Sequence, residues 1–101
     1  MKLHGEYKTP WGKLVVVDLH VTEGKLTNVE VSGDFFLEPA EALEDIVAAL
    51  EGASATTQEE ELATSIRNRL SPEAEMIGFD PESVAIAVRR AVTDGSPRER
   101  A

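Results

Sequence analysis

The sequence predicts an α+β fold, in which a three-stranded antiparallel meander is covered on one face by about three helices. Two patterns in the 101-residue chain lead to this prediction. The first third alternates apolar and polar residues between turn signals, which is typical of strands with one buried face. The remainder repeats apolar residues at helical spacing between start and stop signals. Because a sheet with one apolar face needs a cover, we expect the helices to pack on it.

The predicted strands occupy three segments, residues 5–9, 13–21 and 26–32. The chain reverses at Pro10-Trp11-Gly12, where proline presets φ and glycine completes the turn, and again at Glu23-Gly24. In the third strand Val29 and Val31 are expected to point inward. The apolar face of the second strand is expected to consist of Val15, Val17, Leu19 and Val21.

Three helices are predicted after the strands. The first begins at Pro39, a residue suited to the first helical position, and stops before Gly52. The second begins near Thr57, because Glu60 follows at the spacing of a capping box. The third begins at Asp80-Pro81.

These elements are expected to form a single domain over residues 1–92. Residues 75–79, between the second and third helices, are predicted to be extended. Residues 93–101 are polar and contain glycine and proline, so we expect a flexible C-terminal tail there.

Composition limits the functions that the chain can have. It contains no cysteine, which excludes a disulfide framework, a thiolate nucleophile and cysteine-ligated zinc or iron–sulfur sites. A chain of this length buries one modest core, too small to enclose a nucleotide and an acyl chain as well. No apolar run approaches the roughly 20 residues of a membrane span, and residues 1–6 lack an apolar signal region. We therefore expect a cytoplasmic protein with no membrane partner.

The net charge of −9 is concentrated in the middle of the chain, where residues 38–62 hold eight acids and no base. The simplest interpretation is a solvated helix face. An acidic balance without a basic cluster argues against nucleic acid as a partner, since such affinity comes largely from neutralising phosphates.

No catalytic residue and no metal site is predicted. His4 and His20 have no nucleophile near them in sequence, and His20 is more simply an exposed strand residue than a ligand or base. Gly12-Lys13 resembles the end of a P-loop but lacks the earlier glycine, the Ser/Thr and the following helix. The acids of the first helix lack the glycine-containing loop of a calcium site.

The corner Gly33-Asp34-Phe35-Phe36 has two interpretations. In the first, Gly33 supplies backbone freedom, Asp34 hydrogen-bonds nearby amides, and both rings pack between sheet and helices. In the second, one ring faces a partner, because successive residues of an extended segment point to opposite sides.

The lysines also have two interpretations. All four lie within the first 25 residues, and Lys8 and Lys13 flank the turn that carries Trp11. They are either solubilising residues at strand ends or, together with an exposed Trp11, a recognition tip.

Three runs carry a resemblance to a known family: residues 8–15, 32–39 and 76–82. Together they resemble the small C-terminal accessory domain of lipoate-protein ligases, which in some archaea and bacteria is a separate polypeptide. The resemblance covers about residues 4–92. The family motif Lys-x-Pro-x-Gly-Lys is matched by Lys8, Pro10, Gly12 and Lys13. Trp11 stands where the family has a small residue.

The resemblance implies a two-component enzyme in which this chain is the accessory subunit. A catalytic partner binds ATP, Mg and lipoate, forms lipoyl-adenylate, and transfers the lipoyl group to a lysine of an acceptor domain. This chain supports the adenylation step, binds no cofactor alone, and contributes no catalytic residue. The implied fold is akin to that of iron–sulfur scaffold proteins, although a scaffold role itself would need cysteine.

The residues expected to face the partner and its active site are Lys8, Trp11, Gly12, Lys13, Gly33, Asp34, Phe35 and Phe36. Since adenylate, lipoate and typical acceptor domains are anionic, the lysine-bearing turn should approach the partner's site and the acidic helices should face away. An exposed interface is also compatible with self-association of the isolated chain. The alternative is a free-standing protein-interaction or regulatory module of the same fold without a ligase role.

Overall fold

The predicted meander is present, and every strand end lies one or two residues from its predicted position. The computed structural model describes residues 2–94 and 96–97. The strands of the main sheet are β1 (Leu3–Lys8), β2 (Leu14–Thr22), β3 (Lys25–Gly33) and the short β6 (Ser96–Pro97), which pairs with the start of β1. This sheet is antiparallel throughout, in the order β3-β2-β1-β6. The α+β prediction, with its antiparallel meander, is confirmed.

Both predicted reversals occur. Thr9 N donates to Lys13 O at 2.8 Å and Gly12 N donates to Thr9 O at 2.9 Å, which closes the first turn. Glu23 and Gly24 both have positive φ, 52° and 78°, as the turn of a tight two-residue hairpin requires.

The predicted apolar face of β2 is buried except at its last position. Val15, Val17 and Leu19 are fully buried, but Val21 is 39% exposed. The reason is that β1 begins opposite Leu19, so Val21 lies beyond its start and, among the described residues, has a strand neighbour on one side only.

The pairing of β2 with β3 contains a bulge. Asp18 lies opposite Glu30, yet His20 lies opposite Thr27, so β3 holds one more residue than β2 in this interval. Asn28 takes up the extra length with φ 51°. Val29 inside the bulge and Val31 beyond it are both buried, as predicted.

The helices are α1 (Ala42–Leu50), α2 (Glu59–Arg69) and α3 (Pro81–Arg89), and a π-helical turn (Arg90–Asp94) extends α3. The helix α3 packs on β1 and β2, α1 packs on β3, and α2 packs against both other helices. Within the described residues, no helix has the length and apolar character needed to cross a bilayer.

The helix starts agree with the sequence to different degrees. Asp80 caps α3 as predicted, since its Oδ1 accepts from Ser83 N at 2.8 Å. The capping box of α2 joins Gln58 and Glu61, one residue later than predicted. The start of α1 was predicted wrongly, because residues 39–41 form turns and the helix begins at Ala42.

A second, two-stranded sheet was only half anticipated. Strand β4 (Phe36–Glu38) pairs antiparallel with β5 (Glu75–Ile77), and we call this pair the β4–β5 ribbon. The extended segment predicted at 75–79 supplies β5. Strand β4 was not predicted, because a strand of three residues is too short to show an alternating pattern in the sequence.

The predicted tail, residues 93–101, is described only in part. Thr93 and Asp94 end the π-helical turn, and Ser96–Pro97 form β6. Gly95 and residues 98–101 lie outside the described residues, so the flexibility of the tail stays a prediction.

Candidate functional site

The three runs that carry the sequence resemblance, residues 8–15, 32–39 and 76–82, meet at one end of the sheet. The first links to the third through Thr9, whose Oγ1 donates to Gly78 O at 2.9 Å. The second run links to the first through Asp34, which hydrogen-bonds to Leu14, and to the third through Phe35, which stacks on Phe79. Segments far apart in sequence thus form one continuous surface.

The turn between β1 and β2 is stabilised by hydrogen bonds of the Thr9 side chain. This side chain is buried, and its Oγ1 also accepts from Lys13 N at 3.1 Å. Gly12 completes the turn with φ 84°. Sequence reasoning did not single out Thr9, although a Ser or Thr directly before the proline of a turn often bonds to the turn's own amides.

The corner after β3 needs both its glycine and its aspartate. Gly33 has φ 152°, and a Cβ there would clash with the backbone O of Leu14, which cannot move aside, and would also lie 2.9 Å from Cε2 of Phe35. Asp34 Oδ1 accepts from Leu14 N at 2.6 Å, and Asp34 N donates to Leu14 O at 3.2 Å. The predicted bonding of Asp34 to a nearby amide is confirmed.

The two phenylalanines of the corner point to opposite sides. Phe35 stacks on Phe79, which is buried in the core. Phe36 lies on β4 with its ring in solvent. The first interpretation, in which both rings pack, is therefore wrong for Phe36, and the exposure of one ring agrees with the second interpretation.

Exposed apolar side chains gather at this end of the sheet. Trp11 is 59% exposed, Phe36 62% and Ile77 50%, and we call these three residues the apolar patch. Phe36 and Ile77 are direct partners across the β4–β5 ribbon. Trp11 and Ile77 line one shallow groove of about 460 Å³, whose other walls are Met76, Gly78 and Phe79. Ile77 was not among the predicted site residues, because a three-residue strand gives no usable alternation.

The two lysines of the turn differ in how they are held. Lys8 is exposed, whereas the aliphatic stem of Lys13 lies over Gly78. Gly78 has φ 87°, which strains any other residue there, and a Cβ would also displace the Lys13 stem, since it would come within 2.5 Å of Lys13 Cγ. Neither lysine forms an ion pair with another residue in the described ranges.

A separate polar cluster lies farther along β1, at His4. Its Nε2 lies 2.5 Å from Glu6 Oε2 and its Nδ1 lies 2.7 Å from Asp18 Oδ1. The hydrogen bonds to Glu6 and then to Asp18 raise the pKa of His4 above its ordinary 6.5. The sequence offered no partner for His4, since the pairing of β1 with β2 is what brings Asp18 opposite it. Among the described residues, no three His, Cys, Asp or Glu side chains are grouped so as to hold a metal ion.

The fold and the site define a small α+β domain with an apolar patch and two lysines at one end of its sheet. No family model and no curated protein sequence matches the chain.

Solved structures supply a similarity over almost the whole chain. It is similar to a chain from the archaeal lipoylation system of Thermoplasma acidophilum, a bi-partite lipoate protein ligase and its E2 lipoyl domain. The two chains are 25% identical, the TM-score is 0.72, and the similarity covers 88% of this chain and 96% of the other. The protein thus has the fold of a component of a lipoylation system.

Proposed function

We propose that the protein is the non-catalytic accessory subunit of a two-component lipoate-protein ligase, and that it supports lipoyl-adenylate formation by a catalytic partner. The observation that carries this proposal is the similarity to a chain of the bi-partite system, which spans nearly all of both chains. The two subunits of such a ligase must each have a docking surface for the other. We assign the docking surface of this chain to the end of the sheet that carries the apolar patch.

The residues of that surface have two kinds of role. Gly12, Gly33, Asp34 and Phe35 shape the backbone through their turn, corner and stacking contacts. The exposed long side chains of the predicted set, Lys8, Trp11 and Phe36, together with the ammonium of Lys13, meet the partner. In the same two loops, some residues thus set the backbone conformation and their neighbours contact the partner.

Charge supports this orientation of the subunit. Lys8 and Lys13 are not neutralised by described acids, and the partner's lipoate, ATP and acyl-adenylate are anionic. ATP, Mg and lipoate belong to the catalytic subunit in this scheme. The accessory subunit acts by positioning and by closing the partner's site, in the manner of gating domains in other enzymes.

Reconstitution tests the proposal. The chain is mixed with the catalytic ligase subunit of the same genome, ATP, Mg and lipoate, and lipoyl-adenylate and pyrophosphate are quantified. We expect product from the mixture and little from either protein alone. A catalytic subunit that adenylates lipoate equally well without this chain would overturn the proposal, as would mass-spectrometric detection of a lipoyl group on one of this chain's own lysines.

Charge reversal tests the orientation. Lys8→Glu and Lys13→Glu should lower adenylation by the pair, whereas Lys25→Glu should leave it unchanged. Lys25 is a matched control because it is an exposed lysine of the other hairpin. Equal activity of all three variants would remove the lysine-bearing turn from the interface.

A further inference from the structure

The β4–β5 ribbon presents a patterned outward face. Phe36 lies opposite Ile77, and two positions along, Glu38 lies opposite Glu75. Since side chains alternate along a strand, all four point to the same side, and all four are exposed. An apolar pair is therefore followed directly by a pair of carboxylates.

The facing carboxylates of Glu38 and Glu75 destabilise the β4–β5 ribbon in the isolated chain. Like charges directly opposite each other on an antiparallel pair are destabilising. Neither Glu38 nor Glu75 forms an ion pair with any residue in the ranges 2–94 and 96–97. A cation supplied from outside would relieve this repulsion.

The apolar residues beside the pair are held firmly. The backbone next to Phe36 is anchored by the stacking of Phe35 on Phe79, and the backbone next to Ile77 is anchored by the bond of Thr9 to Gly78. An exposed aromatic side chain on a rigid backbone loses little entropy on binding, which is the property of interface hot spots.

From these observations we infer that the apolar patch inserts into an apolar recess of the catalytic subunit, and that a basic side chain at the rim of this recess lies between Glu38 and Glu75. The inference rests on the proposed function for the identity of the partner. It adds Ile77, Glu38 and Glu75 to the interface and states the chemistry of the opposing surface.

A second copy of this chain fits the patch less well. Each copy carries a net charge of −9, so self-association brings two strongly like-charged molecules together. A partner with a basic rim removes that repulsion as well as the repulsion inside the ribbon.

Trp11 provides a direct reporter, because it is the only tryptophan of the chain. Labelling with 5-fluorotryptophan gives one ¹⁹F resonance, whose shift between H₂O and D₂O measures exposure to solvent. On adding unlabelled catalytic subunit, we expect the resonance to move and to lose most of this solvent shift. An unchanged solvent shift in the complex would overturn the inference. So would a change that appears on concentrating the isolated chain, since it would assign the patch to a second copy.

Affinity measurements by calorimetry test the individual residues. Phe36→Ser and Ile77→Ser should each weaken binding of the catalytic subunit about thirtyfold, as expected for hot-spot residues. Val21→Ser is the matched control, because Val21 is the remaining exposed large apolar residue in the described part of the chain and lies on the other hairpin. A control that weakens binding as much as the patch variants would overturn the inference.

Glu75→Gln gives a result that a purely structural role would not. It should raise the midpoint of unfolding of the isolated chain, because it removes the repulsion with Glu38, and weaken binding about fivefold, because it removes half of the site for the basic side chain. Binding as tight as that of the wild type would remove the carboxylates from the interface.

The outcomes separate the inference from the proposed function. If the pair forms lipoyl-adenylate but the patch variants bind normally, the docking inference is wrong and the function stands. If the patch variants lose binding but the wild-type chain does not stimulate adenylation, the docking stands and the function is wrong.

Discussion

Phe35 stacks on Phe79 with ring centroids 3.8 Å apart and an interplanar angle of 20°. Phe35 directly precedes β4, and Phe79 follows β5 by two residues, so the stack ties this end of the β4–β5 ribbon to the core. Phe36, the next residue after Phe35, is consequently held in solvent on a fixed backbone. The packing of one phenylalanine thus determines the exposure of its neighbour.

The first prediction separates these two rings. Phe35→Ala should lower the free energy of unfolding by about 2–4 kcal/mol, since it removes a half-buried ring and leaves a gap beside Phe79. Phe36→Ala should change it by less than about 0.5 kcal/mol. Urea unfolding followed by far-UV circular dichroism measures both. Equal losses for the two variants would contradict the orientation of the corner.

The second prediction concerns the close approach of α3 to β1 at Gly5. A Cβ at Gly5 would lie 2.5 Å from the backbone N of Ala91, in a place where no flexible side chain can yield. Gly5→Ala should therefore cost about 3 kcal/mol or more of unfolding free energy, or prevent folding.

Gly24→Ala is the control for this substitution. Gly24 has φ 78° but open space around the position of a Cβ, so alanine should cost only about 1–2 kcal/mol for its left-handed backbone. Thermal unfolding of both variants gives the comparison, and a Gly5→Ala protein at least as stable as Gly24→Ala would disprove the close packing.

Elements of the fold were predicted well where the residues that determine them lie close together in the sequence. Alternation identified three strands, and the Asp80-Pro81 pair identified the start of α3, because each depends on residues a few positions apart. The β4–β5 ribbon was harder to predict from the sequence, because β4 and β5 are only three residues each. They stabilise one another only after the folded chain has brought residues 36–38 and 75–77 together.

The site was predicted in part for the same reason. Trp11 and the Gly-Asp-Phe-Phe corner stood out as unusual residues in turns, but nothing near them in sequence indicated which phenylalanine is exposed. The role of Thr9 depends on Gly78, and the exposure of Ile77 depends on β4, so both required the tertiary structure.

The third prediction addresses the bulge in β3. Glu51 follows α1, and its carboxylate accepts from Val29 N at 2.7 Å and from Asn28 N at 3.3 Å. These amides lie on the outer edge of β3, where the main sheet offers no further strand within the described residues. Glu51→Ala should cost about 1–3 kcal/mol of unfolding free energy, because it removes a charged acceptor from two backbone donors.

Glu41→Ala supplies the comparison for Glu51. Glu41 is also an exposed acid beside α1, but its side chain makes no capping bond, so the expected change is within about 0.5 kcal/mol. Amide hydrogen exchange at Val29 should accelerate in Glu51→Ala and remain slow in Glu41→Ala. Unchanged exchange at Val29 in both variants would show that the carboxylate is dispensable.

The fourth prediction is a pH dependence of stability that comes from His4. Hydrogen bonds to Glu6 and Asp18 raise its pKa in the folded protein, whereas the unfolded chain has the ordinary value of about 6.5. The folded state therefore binds the proton more tightly than the unfolded state. This contribution to stability is fully present below about pH 6.5 and is lost as the pH rises through the raised pKa.

His4→Gln isolates this contribution, because the other titrating groups are common to both proteins. The variant should be less stable than the wild type at about pH 5.5, and the difference should shrink towards about pH 9 as the pH rises through the raised pKa of His4. Asp18→Asn should lower the pKa of His4 in an NMR titration of its ring, since it removes one of the two carboxylates. A stability difference that is the same at both pH values would mean that the carboxylates do not act on His4 through its charge.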